Sequence, residues 1–190
     1  MEKEQALAEL RDKCMACRLC SIGGCEINGK PATVFSNMNA AGKIMVVGQN
    51  PGADEVDQGT PFIGRSGHNF DVALKEVLGI DRSFLYISNC VRCYTQGNRS
   101  PLVAEIRSCR PLLDEEIAIV DPVVIVTLGG PALSQVTGLS GIMKCHGEKV
   151  ISPRYGKYVL PFLHPSPLNM NVPAKKKIFY DDLAALKEFL

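Results

Sequence analysis

Residues 44–64 run IMVVGQNPGADEVDQGTPFIG, from Ile44 to Gly64. The stretch opens on Ile44-Met45-Val46-Val47, an apolar run of the length a strand needs when both faces of a parallel sheet are covered. Gly48 ends the strand. Gln49-Asn50-Pro51-Gly52 then makes a tight turn in which Pro51 fixes φ and Gly52 can take a positive one. A strand that runs straight into such a turn sets its polar residues at the carboxyl edge of a sheet, where open α/β folds bind ligands. Gln49 and Asn50 therefore face a prospective crevice. Taken alone, the segment reads equally well as an ordinary strand-to-loop turn.

Working outward, Arg65 to Leu78 reads as a helix with Phe70, Ala73, Leu74 and Val77 inward and Gly79 as its cap. Phe84 to Asn89 is a second strand, followed by a loop with Gln96-Gly97-Asn98-Arg99 at its tip. Leu102 to Val120 is helical, Pro122 to Leu128 is a third buried strand, and Gly129-Gly130-Pro131 opens another helix. Tyr158 to Leu163 is a fourth strand, running into His164-Pro165-Ser166-Pro167-Leu168-Asn169. Helices over 2–13 and 175–190 flank the whole. Strands alternating with helices predict an α/β fold: a three-layer α/β/α sandwich with a central, mostly parallel four-stranded sheet, one domain over residues 1–190.

At 190 residues, 46% hydrophobic and 22% charged, the chain can bury a core without staples. A net charge of +1 provides no overall basic field for gripping polyanions, although a local patch is compatible with it. The amphipathic start MEKEQALAELRDK lacks the apolar segment of a signal peptide, and no apolar run is long enough for a membrane span. A cytoplasmic protein, a monomer without a membrane partner, is expected.

Eight cysteines in such a chain point to a metal or cluster rather than disulfides. Cys14 and Cys17 are separated by two residues, a spacing that brings both thiolates to one centre. Cys93 and Cys109, one after a strand end and one early in the next helix, are the distant partners to join to them. Four thiolates suit zinc or an iron–sulfur cluster, and spacing does not separate the two. Cys20 or Cys25 could replace a member of the set. Cys90 and Cys145 read as small buried hydrophobes.

GQNPG after a buried strand, Pro61-Phe62-Ile63-Gly64 ahead of a helix, Tyr86-Ile87-Ser88-Asn89 before a cysteine, and HPSPL near the C-terminus occur in that order. The order resembles the uracil-DNA glycosylase superfamily. With Cys14, Cys17, Cys93 and Cys109 it looks most like family 4, whose members carry a [4Fe–4S] cluster. The resemblance covers about residues 5–190.

It implies a repair enzyme that flips uracil out of uracil-containing DNA and hydrolyses its N-glycosidic bond, leaving an abasic site. Phe62 would stack on the flipped base, in a pocket that Gln49 also lines. Asn89 would pair with the Watson–Crick edge, accepting from N3–H and donating to O4, a pattern cytosine reverses. His164 would donate to the departing uracil anion at O2. Pro165, Ser166 and Leu168 resemble the segment that enters the minor groove, with Leu168 as the wedge. Pro51, Gly52 and Ser166 would approach phosphates, with Arg99 and Lys175-Lys176-Lys177 as further candidates.

The first motif departs from the family pattern, which has Glu second and a small residue third. Here Gln49 and Asn50 form a neutral pair. Asn in the third position resembles the mismatch-specific and single-strand-selective branches, where it is thought to hold the water. That makes Asn50 the expected catalytic partner of His164, with Asp54 or Glu55 as the fallback carboxylate. The departure also leaves an alternative: a catalytically weak or inactive iron–sulfur DNA-binding protein on the same fold.

Overall fold

The structure is a computed structural model and describes residues 2–190. Helix α1 (Glu2–Met15) buries Leu7, Leu10 and Cys14, one stripe at intervals of three and four. It runs two residues beyond the expected end at residue 13, so Cys14 falls on its last turn. Strands β1 (Glu26–Ile27) and β2 (Lys30–Pro31) pair as a small antiparallel ribbon.

Strand β3 (Ile44–Gly48) is buried at every position, as its apolar run requires. Helices α2 (Ala53–Gln58) and α3 (Arg65–Leu78) follow, then β4 (Leu85–Asn89), α4 (Val103–Val120), β5 (Val124–Leu128) and α5 (Gly130–Thr137). The chain continues through β6 (Val150–Ile151), β7 (Tyr158–Phe162), α6 (Pro167–Met170) and α7 (Pro173–Leu183). The last helix starts two residues before 175, with Pro173 in its first turn, and tightens at Ala184 into a 3-10 stretch to Phe189.

The central sheet has five strands in the order β4-β3-β5-β7-β6, not four. Strands β3, β4, β5 and β7 are parallel; the additional edge strand, β6, is antiparallel to β7. Two residues are too few for any periodicity to mark β6 in advance. Successive residues of β3 face opposite layers. Ile44 and Val46 pack with Phe70, Leu74, Phe179 and Leu183 of α3 and α7, whereas Met45 and Val47 pack with Leu7, Leu113, Ile117 and Val136 of α1, α4 and α5. The chain leaves β3 for β4 on one side and returns to β5 on the other, making a switch point at the carboxyl edge of the sheet. Among the described residues no helix is long and apolar enough to cross a membrane.

Candidate active site

A cleft of about 650 Å³ opens above the carboxyl ends of β3, β4 and β7. Gln49, Asn50, Pro51 and Gly52 enter it from the turn after β3, Asn89 from the end of β4, and His164, Ser166 and Leu168 from the segment after β7. Phe62 joins them from the loop ahead of α3. Of the residues expected to meet base or DNA, Pro165, which is buried, Arg99 and the run Lys175–Lys177 lie outside this lining.

Asn89 pairs in register with Gly48 and is 1% exposed. Its Oδ1 and Nδ2 both lack a protein partner. A buried polar group left unpaired costs about 1–3 kcal/mol, so this amide presents one acceptor and one donor that only a ligand or water can satisfy. Phe62 stands beside it, 7% exposed, with its ring centroid 5.8 Å from that of His164. The Phe62 backbone has φ 59°, a conformation uncommon for a bulky side chain. The neighbours hold it there: Arg82 donates to the Phe62 carbonyl at 2.6 Å while pairing with Asp71 at 2.7 Å. Gly67 lets the loop lie against α3, since a Cβ at that position would stand 1.8 Å from the Phe62 carbonyl oxygen.

The turn after β3 is fixed by a carboxylate. Glu55 accepts from the backbone N–H groups of Gly52 at 3.0 Å, Ile63 at 3.1 Å and Gly64 at 2.9 Å, so it ties the first motif to the Phe62 loop. Its oxygens are thus largely engaged by backbone. Gly52 has φ −87° rather than a positive value; what glycine provides there is room, because a Cβ would meet Glu55 Oε2 at 2.6 Å. Asp54 lines the same cleft. Asn50 donates through Nδ2 to the Pro51 carbonyl at 3.1 Å and to Thr95 Oγ1 at 3.3 Å. Its Oδ1 is left without a protein partner among the described residues.

Burial lowers the His164 pKa from its ordinary value, so the imidazole is neutral near pH 7. Its backbone carbonyl accepts from Asn169 Nδ2 at 2.8 Å, and Asn69 ties down the Pro165 carbonyl at 2.9 Å. Leu168, held on this braced segment, is 84% exposed. Lys175 reaches Asn169 at 3.2 Å, Lys176 lies over the Tyr180 ring, and Lys177 pairs with Asp181 at 2.6 Å. Arg99 makes a two-pronged pair with Glu105, which is 1% exposed and whose pKa the guanidinium holds down at about 2.

The cysteines form a second centre. Cys14, Cys17, Cys20, Cys93 and Cys109 line one narrow internal space with Val91, Arg92 and Leu112. Cys14, Cys93 and Cys109 are buried, whereas Cys17 and Cys20 are half-buried. Burial pushes the Cys14 thiol up to about 12 and Cys93 to about 11, and raises Cys109. Thr33 Oγ1 lies 3.3 Å from Cys93 Sγ, and the Arg92 backbone N–H donates to Cys109 Sγ at 3.4 Å. Cys25 is exposed and outside the nest. Cys90 is buried as expected; Cys145 is half-buried instead, in a short turn where its thiol reaches the Gly141 carbonyl. Among the described residues no three His, Cys, Asp or Glu side chains are arranged to hold a single ion.

Sequence reading missed Thr95, Arg82 and Arg65. Thr95 and Arg82 act through contacts across 45 and 20 positions, which no local pattern announces. Arg65, exposed at the start of α3, lines the cleft with no protein partner for its guanidinium among the described residues. The Glu55 clamp did have a signal: glutamate three residues after a helix-starting glycine is half of a capping box.

A family model described as uracil DNA glycosylase superfamily matches residues 35–184. A type-4 uracil-DNA glycosylase of Thermotoga maritima is 35% identical over 192 residues, spanning 100% of this chain and 95% of the relative. One from Sulfurisphaera tokodaii is 30% identical over 190 residues, spanning 96% and 84%. With the strand-end cleft, these matches establish that the chain belongs to the uracil-DNA glycosylase superfamily, in the company of its type-4 members.

Proposed function

We propose that this protein removes uracil from DNA by hydrolysing the N-glycosidic bond, the activity for which its type-4 relatives are named. The observation that carries the reading is the unpaired, buried Asn89 amide beside the Phe62 ring. A flipped uracil supplies what that amide lacks: N3–H donates to Oδ1, and O4 accepts from Nδ2. Phe62 covers a face of the base. Gln49 closes the pocket beside it.

As the bond from N1 to the sugar carbon breaks, both electrons leave with uracil. The neutral His164 imidazole donates a hydrogen bond to the anion forming at O2, in a site dry enough for a dipole to count. A water held by Asn50 Oδ1 bonds to the sugar carbon and releases its proton to solvent. The oxocarbenium character of the sugar lessens the need for a strong base. Leu168 fills the gap left in the duplex, flanked by Pro165 and Ser166. Phosphates meet Pro51, Gly52 and Ser166, with Arg99 and the Lys175–Lys177 run farther out.

In the cysteine nest, Cys14, Cys17, Cys93 and Cys109 would hold a [4Fe–4S] cluster. The donor set fits: soft sulfurs arrayed round an internal space suit a cluster whose irons each take one thiolate. Thiols raised by burial part with their protons when coordinated by a metal. A cluster there would supply a rigid link between the end of α1 and the 93–109 segment.

The test is uracil release from single-stranded and paired oligonucleotides by brown protein absorbing at about 400 nm, compared with Asn50→Ala and His164→Ala. Release by wild type and loss in both variants is expected. Folded, brown protein that releases no uracil would leave a DNA-binding protein on this fold. Colourless protein without iron would overturn the cluster.

A further inference from the structure

Thr95 is fully buried at the start of the loop that follows Cys93, and its hydroxyl has two neighbours of different kinds. One is the Arg99 backbone carbonyl, which can only accept, so the hydroxyl hydrogen goes there. The oxygen's lone pairs are then what faces Asn50, and a lone pair can meet only the NH2 side of that amide. The Pro51 carbonyl, also an acceptor, makes the same demand at 3.1 Å. The two acceptors together fix which way the Asn50 amide lies and leave Oδ1 as the atom open to the cleft.

The loop carrying Thr95 is itself anchored. The Arg99 side chain grips Glu105, which also accepts from the Leu102 backbone at 2.6 Å and from Ser21 at 3.0 Å. Ser21 belongs to the cysteine-bearing segment between Cys20 and Cys25. Hydrogen bonds joined through the covalent frame of Arg99 thus lead from that segment to Asn50.

We propose that Thr95 is a positioning residue for hydrolysis: its hydroxyl, oriented by the Arg99 carbonyl, holds the Asn50 amide with Oδ1 turned to the attacking water. The proposal rests on the reading of Asn50 as the residue that holds that water. Thr95 touches neither base nor sugar. It acts only through Asn50, so its contribution disappears when Asn50 is gone.

The experiment measures uracil release by Thr95→Val, Thr95→Ser, Asn50→Ala and the Asn50→Ala/Thr95→Val double variant, with melting followed for each. Thr95→Val is expected to lower kcat about tenfold at unchanged KM, the worth of one hydrogen bond of ordinary strength. Thr95→Ser, which keeps the hydroxyl, stays within about twofold of wild type, and the double variant is no slower than Asn50→Ala. Thr95→Ala takes the place of Val if Val does not fold. A tenfold loss repeated in the Asn50→Ala background, a serine variant as slow as valine, or a raised KM with kcat intact would overturn the proposal while leaving the water on Asn50. An Asn50→Ala enzyme as fast as wild type would overturn both readings.

Discussion

Asn89 sits at the end of β4 at a cost to the fold, with both amide atoms buried and unpaired. Leucine has the same branched outline, with methyls in place of the amide oxygen and nitrogen, and nothing to pair. Asn89→Leu is therefore expected to raise the melting temperature by several degrees, from about 1–3 kcal/mol recovered at roughly 2–4 °C per kcal/mol for a chain of this size. It should abolish uracil release at the same time. A lower melting temperature would mean that the amide is satisfied in the free protein. His164 takes up its proton at a lower pH than a surface histidine. Burial lowers its folded pKa below the ordinary 6.5, so as pH falls through that value the unfolded chain takes up the proton first. Stability is thus lost as pH drops from about 6.5 to the folded pKa, and substituting His164 with Phe should flatten that part of the melting profile. On the proposed role of the neutral imidazole as donor, kcat should stay level from pH 6.5 upward; a tenfold fall per pH unit there would show that the imidazolium does the work. The resemblance pointed to both residues through the motifs they sit in, Asn89 at the end of β4 and His164 two residues beyond β7, whereas Thr95 lies in none of those motifs and gives no local signal.

The loop of Phe62 and the first turn of α3 work as one element. Gly67 allows them to touch, and Arg82 and Glu55 hold the loop from either side. In Gly67→Ala the new methyl meets a backbone carbonyl, which cannot swing aside as a flexible side chain would. The loop must shift. We expect uracil release to fall about a hundredfold in kcat/KM, the usual consequence of a displacement near 1 Å beside the chemistry. Stability should drop by about 1–3 kcal/mol. Unchanged kinetics on synthetic uracil oligonucleotides would show that the loop has slack the contact distances deny. The bounds of α3 could be read from the sequence because Gly64 and Gly79 punctuate an apolar stripe. The close approach could not, because it depends on where a carbonyl from the preceding loop comes to lie. The same distinction explains why β3, β4, β5 and β7 were foreseen and β6 was not: long apolar runs carry their own signal, and a two-residue edge strand borrows its pairing from β7.

Across the whole molecule, the sheet and the cysteine nest are joined by a buried ion pair. Arg92, 1% exposed, leaves the end of β4 and pairs with Glu116 of α4 and with Ser88. Tyr86 donates to the same carboxylate at 2.7 Å and lies 2.8 Å from the Ser36 hydroxyl. The guanidinium stands over the Phe35 ring, and its charge acts to lower the pKa of the Cys14 and Cys109 thiols. One cation thus serves two neighbours, the carboxylate in the α4 layer and the sulfurs of the nest. Glu116→Gln keeps the shape but removes the countercharge, leaving Arg92 charged and buried. Breaking such a pair costs about 3–5 kcal/mol, so the melting temperature should fall by on the order of 10 °C. Replacing both partners with apolar residues, Arg92→Met with Glu116→Leu, should restore part of that stability: no stranded charge remains, although the buried Ser88 hydroxyl loses both its partners. If the nest holds the proposed cluster and the cation also offsets its negative charge, the double variant should nevertheless hold iron less tightly than wild type in a chelator challenge, while Glu116→Gln, with its free cation, holds iron at least as well. A double variant that is both stable and unchanged in iron retention would confine Arg92 to joining the layers.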